Sequence, residues 1–542
     1  MITKGFLASR MFVGIFAAVM TMTGLSSCSE RDDPSPSDPS TDIADYAVLL
    51  YGHGSASPSL DFYIIKNIHD CYMADPASYY KVKVAVQYKW TTAKALKTLC
   101  KQVHYASGDI DDFDVTPEEI AFAESHGSTA VRFVVDPAQK GDVEPVKDKV
   151  YFGPKQMVEA PQYGEKGFNM SNPDSLISFI NWAEKACPAK HYILVFSSHG
   201  EGYRPNRDVT YRAASDGATT RGVIPDADND GKQLSVSEVK AALKAADKRI
   251  DVVYYDACLM NMIEVLYELR DVTDYIIAST FTVPGVGGDF SAIINELAKG
   301  NPMETALANI CKANGDFWAE QYAAIGKREN ANFDQSVIRT SAIESYAAKI
   351  KDFTNRLVDA YTNGGDEVRK KIDLCTANAM KVESNEPFYE LHAYMALIVT
   401  GLPEYFPDGY FEDIRDSFLQ TCIVNRFSSP NLEKYGFQIG VSTLLAHEGI
   451  HEAYAWIRDF DGTWRTYGYT VYYPDGKQVD VDDGVSVEST WGGTFADTYQ
   501  QLDYDRATGW SRWLLLNKQR PAPFCYLSAE IEPTDIIEDV PF

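Results

Sequence analysis

An α/β fold built on a mainly parallel sheet flanked by helices, followed by a C-terminal β-rich region, is the architecture this chain predicts. Two observations carry that prediction. From residue 45 onward short β-rich runs alternate with helical patterns, and several of the runs are continuously apolar. Continuous apolar runs mark strands covered on both faces, and the order strand, helix, strand is what parallel crossovers require. After about residue 435 the pattern changes to short strands rich in aromatic residues and glycine, so 44–434 reads as the main domain and 435–542 as the β-rich region.

Before the fold comes an N-terminal leader. Lys4 and Arg10 supply positive charge, Met11 to Gly24 is an apolar stretch too short for a comfortable membrane span, and Leu25-Ser26-Ser27-Cys28 follows. That order resembles a bacterial lipoprotein signal over 1–28, which implies cleavage before Cys28 and acylation of its thiol. Residues 29–43 are rich in Pro, Ser and Asp, cannot bury a core, and read as a disordered tether. The expected location is outside the cytoplasm, at the outer membrane or cell surface, with the membrane contacted only through the lipid.

The expected strands are Tyr46–Tyr51, Val82–Tyr88, Ala130–Val135, Tyr192–Phe196, Ile250–Tyr255 and Tyr275–Ala278. Helical spacing covers 57–71, 92–104, 173–186, 236–246 and 259–271, then 303–322, 340–362 and 365–399. Asn172 followed by Pro173 marks one helix start, and Ser235 with Glu238 forms a capping box for another. Tyr467–Tyr473 followed by Pro474-Asp475-Gly476 reads as a hairpin strand and turn.

Composition narrows the partners. The chain has 542 residues, 45% of them hydrophobic, and a formal net charge of −27. That field repels phosphate backbones, which excludes nucleic acid as a partner, and favours cationic ligands such as Lys/Arg-rich peptide segments. The eight cysteines besides Cys28 are scattered without metal-ligand spacing.

Two strand ends carry the candidate chemistry. His191-Tyr-Ile-Leu-Val-Phe-Ser-Ser-His199-Gly200 delivers a histidine into a glycine turn, and Ile250-Asp-Val-Val-Tyr-Tyr-Asp256-Ala257-Cys258 delivers a cysteine. Ligand sites of open α/β sheets form beyond the carboxyl ends of strands, and a Cys/His pair there is what thiol acyl transfer needs. The apolar spacing after Cys258 predicts a helix that begins at Leu259, which would place the thiol at a helix N-terminus. Alternation along the strand puts Asp256 on the same side as Cys258, where a carboxylate suits a positively charged substrate side chain better than it suits a thiolate.

These residues resemble the clostripain family of caspase-like cysteine peptidases. The resemblance extends to Ala278-Ser279, to Pro284-Gly285-Val-Gly-Gly-Asp289, to Asn332-Phe-Asp-Gln-Ser-Val-Ile338 and to Tyr435-Gly-Phe-Gln-Ile-Gly-Val-Ser442. It implies a caspase-like fold and an endopeptidase cleaving after Arg or Lys. It further implies Cys258 and His199 as catalytic residues, backbone N–H groups of Gly200 and Cys258 as oxyanion hole, and Asp256, with Asp289 as a lesser candidate, recognising the basic side chain. Family members are often cut between the two motifs, and Arg212 and Arg221 are candidates for self-cleavage.

Other motifs compete. His53-Gly54 also follows an apolar strand. His447-Glu448-Gly449-Ile450-His451 matches the H-E-x-x-H zinc pattern, but Gly449 weakens the helix that pattern needs by about 1 kcal/mol, and the preceding residues read as a strand. Asp226, Asp228 and Asp230 look like the opening of a calcium loop, although the twelfth position holds Ser237 rather than an acid. No cofactor is required by the thiol mechanism; calcium stays open as a ligand. The rivals to the peptidase are an inactive peptidase-like surface-binding lipoprotein and a zinc metallopeptidase using His447, Glu448 and His451.

Overall fold

The structure is a computed structural model, and it describes residues 43–54, 58–89, 130–138, 158–159, 168–204, 221–226, 229, 232–326, 333–377, 379–380, 382, 388–427, 440–445, 456–458, 464–466, 469–472, 478–481 and 499–517. Cys28, Arg212, Asp228, Asp230, His447, Glu448 and His451, and the predicted helix at 92–104, lie outside the described residues.

Strands β1 (Ala44–His53), β2 (Val82–Lys89), β5 (Ala189–Ser197), β9 (Val252–Asp256) and β10 (Tyr275–Ala278) form the parallel centre of the principal sheet. Antiparallel additions extend both sides: β3 (Ala130–Val134) and β4 (Val158–Glu159) beyond β2, β11 (Asp334–Arg339) and β13 (Cys422–Phe427) beyond β10. Among the described residues the order is β13-β11-β10-β9-β5-β1-β2-β3-β4.

The continuous apolar runs are buried on both faces, as a covered sheet requires. Leu194 and Val195, neighbours in β5, enter opposite cores because successive strand side chains point to opposite faces. Each such burial contributes about 1.5–3 kcal/mol. On one face, α1 (Pro58–Asp70), α5 (Phe290–Leu297) and α6 (Met303–Ala324) bring Ile64, Ile68, Ile294, Leu307 and Ile310. The other face is covered by α2 (Pro173–Ala186), α3 (Val236–Ala245), α4 (Ile263–Leu269) and α7 (Ile343–Asn363). The two marked helix starts form as the sequence predicts: Asn172 accepts from Asp174 N at 2.9 Å, and Ser235 and Glu238 make the reciprocal capping box.

Two stretches differ from the sequence expectation. The helical span 365–399 is two helices, α8 (Gly365–Ala377) and α9 (Leu391–Gly401), separated by strand β12 (Phe388–Glu390), which pairs with β14 (Ser442–Leu444). In the C-terminal region, Tyr469–Tyr472 pairs with Gln478–Val481 around the predicted turn. Residues 503–517, however, form two helices, α11 (Asp503–Thr508) and α12 (Trp510–Asn517). Their aromatic content favours strand, but Trp510, Trp513 and Leu514 stand at helical spacing and enter the main core beside Ile350 and Phe353 of α7. No described helix is long and apolar enough to cross a membrane.

Candidate active site

β5 and β9 run side by side in parallel, in a register that ends with Ser197 opposite Asp256. His199 and Cys258 each stand two residues beyond that last pair, so the chain delivers both to the same height at the carboxyl edge of the sheet. Ser198 N donates to Asp256 O at 3.4 Å, which ties the two strand exits together. Gly200 completes the approach. A Cβ on Gly200 would stand 2.5 Å from Cys258 O and 2.9 Å from Ala257 Cβ, so only glycine lets the histidine turn lie against the cysteine.

Cys258 is not at a helix N-terminus, contrary to the apolar spacing. It sits in a turn, and the helix begins only at Ile263. The cause lies in the residues between: Leu259 takes a left-handed conformation with φ of 63°, and Asn261 is drawn into tertiary hydrogen bonds. The N–H that meets the sulfur comes from another loop. Val283 N donates to Cys258 Sγ at 3.3 Å, and a hydrogen bond to the charged form favours the thiolate. The thiol is half-buried.

That loop is held by two residues to which sequence reasoning gave no role. Asp334, buried at the start of β11, accepts from Thr280 N at 2.9 Å and Phe281 N at 3.1 Å through one oxygen. Phe281 O in turn accepts from Leu259 N at 3.1 Å. Burial pushes the Asp334 carboxyl up to about 7. Asn261, fully buried, donates to Thr280 Oγ1 at 3.0 Å and Gly440 O at 2.6 Å. The sequence signal for Asn261 was a polar residue within an apolar run, and for Asp334 its place in the 332–338 segment of the resemblance.

His199 reaches solvent, and its carbonyl accepts from Ile224 N at 3.3 Å. Desolvation by its surroundings lowers the imidazole pKa, with the Glu201 charge acting in the opposite direction. The net effect favours the neutral ring, the form able to accept a proton. Ile224, with φ of 58°, and Leu259 are the positive-φ non-glycine residues among those described. One is bonded to His199 and the other follows Cys258, and backbone strain of about 1–3 kcal/mol per residue persists where the surroundings enforce it.

Asp256 lies beneath the cysteine turn. Ser197 Oγ donates to its Oδ2 at 3.2 Å and Gly288 N to its Oδ1 at 3.2 Å. No cationic side chain among the described residues pairs with it, and burial raises its pKa to about 6. A buried acid without a cation is costly unless a ligand supplies the charge. Asp289 caps α5, accepting from Ala292 N at 3.0 Å and Ser291 Oγ at 2.9 Å, so the helix start accounts for its side chain.

Of the competing motifs, His53 and Asp226 are engaged beside the histidine turn, where Ser198 Oγ donates to His53 O at 2.6 Å. His53 is buried, with Nδ1 3.0 Å from Lys89 O and Nε2 3.8 Å from Asp226 Oδ1. Both oxygens of Asp226 accept from Lys89 Nζ, at 2.8 and 2.9 Å, and Met170 N adds a third bond, which directs this carboxylate inward rather than into a calcium loop. Among the described residues no group of three His, Cys, Asp or Glu could hold a metal. Arg221 opens β7 (Arg221–Asp226), which pairs with β6 (Gly200–Arg204) so that Arg204 faces Arg221. The interval with the candidate cleavage sites therefore leaves and returns beside the histidine turn.

The family model of the clostripain family, a group of C11 peptidases, matches residues 118–462. The chain is 27% identical to clostripain of Hathewaya histolytica over 262 residues, a span covering 45% of this chain and 45% of that relative. Among solved structures, a secreted C11 cysteine protease from Bacteroides thetaiotaomicron bound to an irreversible peptide inhibitor is 15% identical with a TM-score of 0.48, covering 86% of this chain and all of the other. An inactive zymogen C11 protease from Parabacteroides distasonis is 13% identical with a TM-score of 0.45, covering 86% of this chain and 98% of the other.

Proposed function

Since the chain belongs to the clostripain family of C11 cysteine peptidases, we propose that it is an endopeptidase in which Cys258 attacks the carbonyl of an Arg or Lys residue, with His199 as acid and base. The observation that carries this reading is the shared height of His199 and Cys258 beyond paired strands, with the cation-less Asp256 directly below.

In the proposed cycle His199 takes the thiol proton and the sulfur adds to the scissile carbonyl. The resulting oxyanion is held by backbone N–H groups of Gly200 and Cys258. Collapse breaks the C–N bond, the amine leaves with the proton from His199, and a thioester remains. Water, deprotonated by His199, then releases the carboxylate and restores the thiol. Asp256 holds the basic side chain and so fixes which carbonyl faces the sulfur. None of these steps needs a cofactor.

The same reading places the enzyme outside the cytoplasm on a lipid attached to Cys28, and has it mature by cutting itself at Arg212 or Arg221. The supporting signals are the order of the leader residues and the return of the 205–220 interval beside the site.

The test uses fluorogenic peptides ending in Arg, Lys or Asp, assayed with the protein, with Cys258→Ala, and with iodoacetamide or a chelator added. Thiol-sensitive cleavage after Arg or Lys that Cys258→Ala abolishes is the expected result. Chelator-sensitive cleavage surviving that substitution would instead favour zinc chemistry, and no cleavage by any form would favour a binding protein. A Cys258→Ala chain that still splits between 204 and 232 when purified alone would refute self-cleavage.

A further inference from the structure

Four neighbouring parallel strands end together at the catalytic edge of the sheet. β9 leads to Cys258 and β5 to His199, and beside them β1 ends at His53 and β2 at Lys89, which are partners in register. Lys89 is fully buried, and its Nζ donates to both oxygens of Asp226, the last residue of β7, at 2.8 and 2.9 Å. His53 lies against the same pair, with Nε2 3.8 Å from Asp226 Oδ1. Burial raises the Asp226 pKa, but the charges of His53 and Lys89 and the hydrogen bonds from Lys89 and Met170 N outweigh it and hold the carboxyl below its ordinary value.

β7 is also the strand that meets the histidine turn. Ile224 N, two residues before Asp226, donates to His199 O at 3.3 Å, and Val223 pairs with Gly200. Ile224 makes this bond at φ of 58°, a region that β-branched residues avoid, so its surroundings must enforce it. Ser171 Oγ donates to Ile224 O at 2.9 Å and Met170 N to Asp226 Oδ2 at 2.8 Å. On the other side of His199, Ser198 Oγ donates to His53 O at 2.6 Å. The backbone before and after the imidazole is therefore tied to one buried cluster, through His53 on one side and β7 on the other.

We propose that Lys89 and Asp226 are positioning residues whose ion pair fixes β7 against the end of β2, so that Ile224 N sets the height of His199 opposite Cys258. This rests on the reading of His199 as acid and base given under Proposed function. A fully buried ion pair adds little net stability, because desolvating two charges offsets their attraction. What it supplies is geometry: Lys89 Nζ between two carboxylate oxygens fixes one placement of β7, whereas apolar surfaces of similar volume slide. Asp256 is held separately, by Ser197 Oγ and Gly288 N. Loss of the ion pair should therefore impair proton transfer and leave substrate binding as it was.

The experiment measures kcat and KM on an Arg-ended fluorogenic peptide for the full chain, for Lys89→Met/Asp226→Asn, for Lys89→Gln and for His199→Ala. The paired substitution removes both charges at once and leaves no uncompensated charge buried, while asparagine keeps an acceptor for Met170 N. Values of kcat are taken per site titrated with an Arg-ended peptidyl chloromethyl ketone, which counts folded enzyme, and thermal melting is recorded alongside. The paired variant should lose about tenfold to a hundredfold in kcat, the range for a catalytic group misplaced by about 1 Å, with KM changed by less than about threefold. Lys89→Gln, which retains an N–H donor for Asp226, should show a smaller loss of the same kind, and it decides the matter if the paired variant yields no titratable sites. A purely structural role would lower the melting temperature or the number of sites and leave kcat per site intact. That result, or a rise in KM with kcat unchanged, would overturn the proposal. A His199→Ala protein with full kcat would refute the reading of His199 itself, and is read without the ion-pair variants.

Discussion

Replacing Asp256 by Asn should make the protein more stable and much less active, and both magnitudes follow from the site. The folded-state pKa of about 6 lies above the ordinary value of 3.8, because burial disfavours the charged form. The native state thus binds this proton more tightly than the unfolded chain. Its contribution is fully present below pH 3.8, falls as pH rises through the window between those two values, and is flat beyond it. The difference of about 2 pKa units corresponds to about 3 kcal/mol. Asparagine does not ionise, so it escapes that loss, although its NH2 group cannot replace both hydrogen bonds the carboxylate accepts, and the net gain at about pH 8 will be smaller than about 3 kcal/mol. Activity moves the other way. A carboxylate about 4 Å from a substrate cation at an effective dielectric of about 20 is worth about 4 kcal/mol, or about a thousandfold in kcat/KM. The assay is urea denaturation at about pH 5 and pH 8 in a Cys258→Ala background that cannot cut itself, with peptide kinetics in the active protein. Asp256→Asn that gains no stability between those two pH values, or that cleaves Arg and Lys peptides at the original rate, would refute the reasoning.

Asp334→Ala leaves the buried Thr280 and Phe281 N–H groups without an acceptor and should destabilise by about 2–6 kcal/mol. It should also slow iodoacetamide alkylation of Cys258 near neutral pH, because Val283 N no longer holds the sulfur. Asp334→Asn keeps an acceptor and should restore both readouts; an alkylation rate unchanged in the alanine variant would separate this loop from the thiol. Gly200→Ala forces a methyl against Cys258 O and Ala257 Cβ. The expected result is a loss in kcat/KM of about a hundredfold with a stability change of about 1–3 kcal/mol, read by peptide kinetics and thermal melting. Unchanged kinetics would mean that the histidine turn does not depend on this approach.

The sheet was legible in the sequence because its strands are buried on both faces. The runs around Leu49, Leu194 and Val253 contain no charged side chain that water would retain. His199 and Cys258 were legible for a related reason, since each ends such a run, and register then aligned them. The helix after Cys258 misled because Leu259, Met262 and Ile263 have helical spacing while their backbone is set by Phe281 O and by the Asn261 amide. Those partners lie in distant segments that no local pattern reveals. Asn261 and Asp334 share that difficulty. Each is a polar residue whose role exists only once the 280–288 loop has folded over β9 and α1. The helices of 503–517 failed for a simpler reason: Trp510 and Trp513 carry strand propensity, and packing against α7 overrode it.

Covalent trapping tests the central assignment most directly. An Arg-ended peptidyl chloromethyl ketone should add once to the intact protein, and peptide mapping by mass spectrometry should place it on Cys258. The adduct should be absent from Cys258→Ala and slowed by at least about a hundredfold in His199→Ala. A label on another cysteine, or an adduct that persists in Cys258→Ala, would contradict the account.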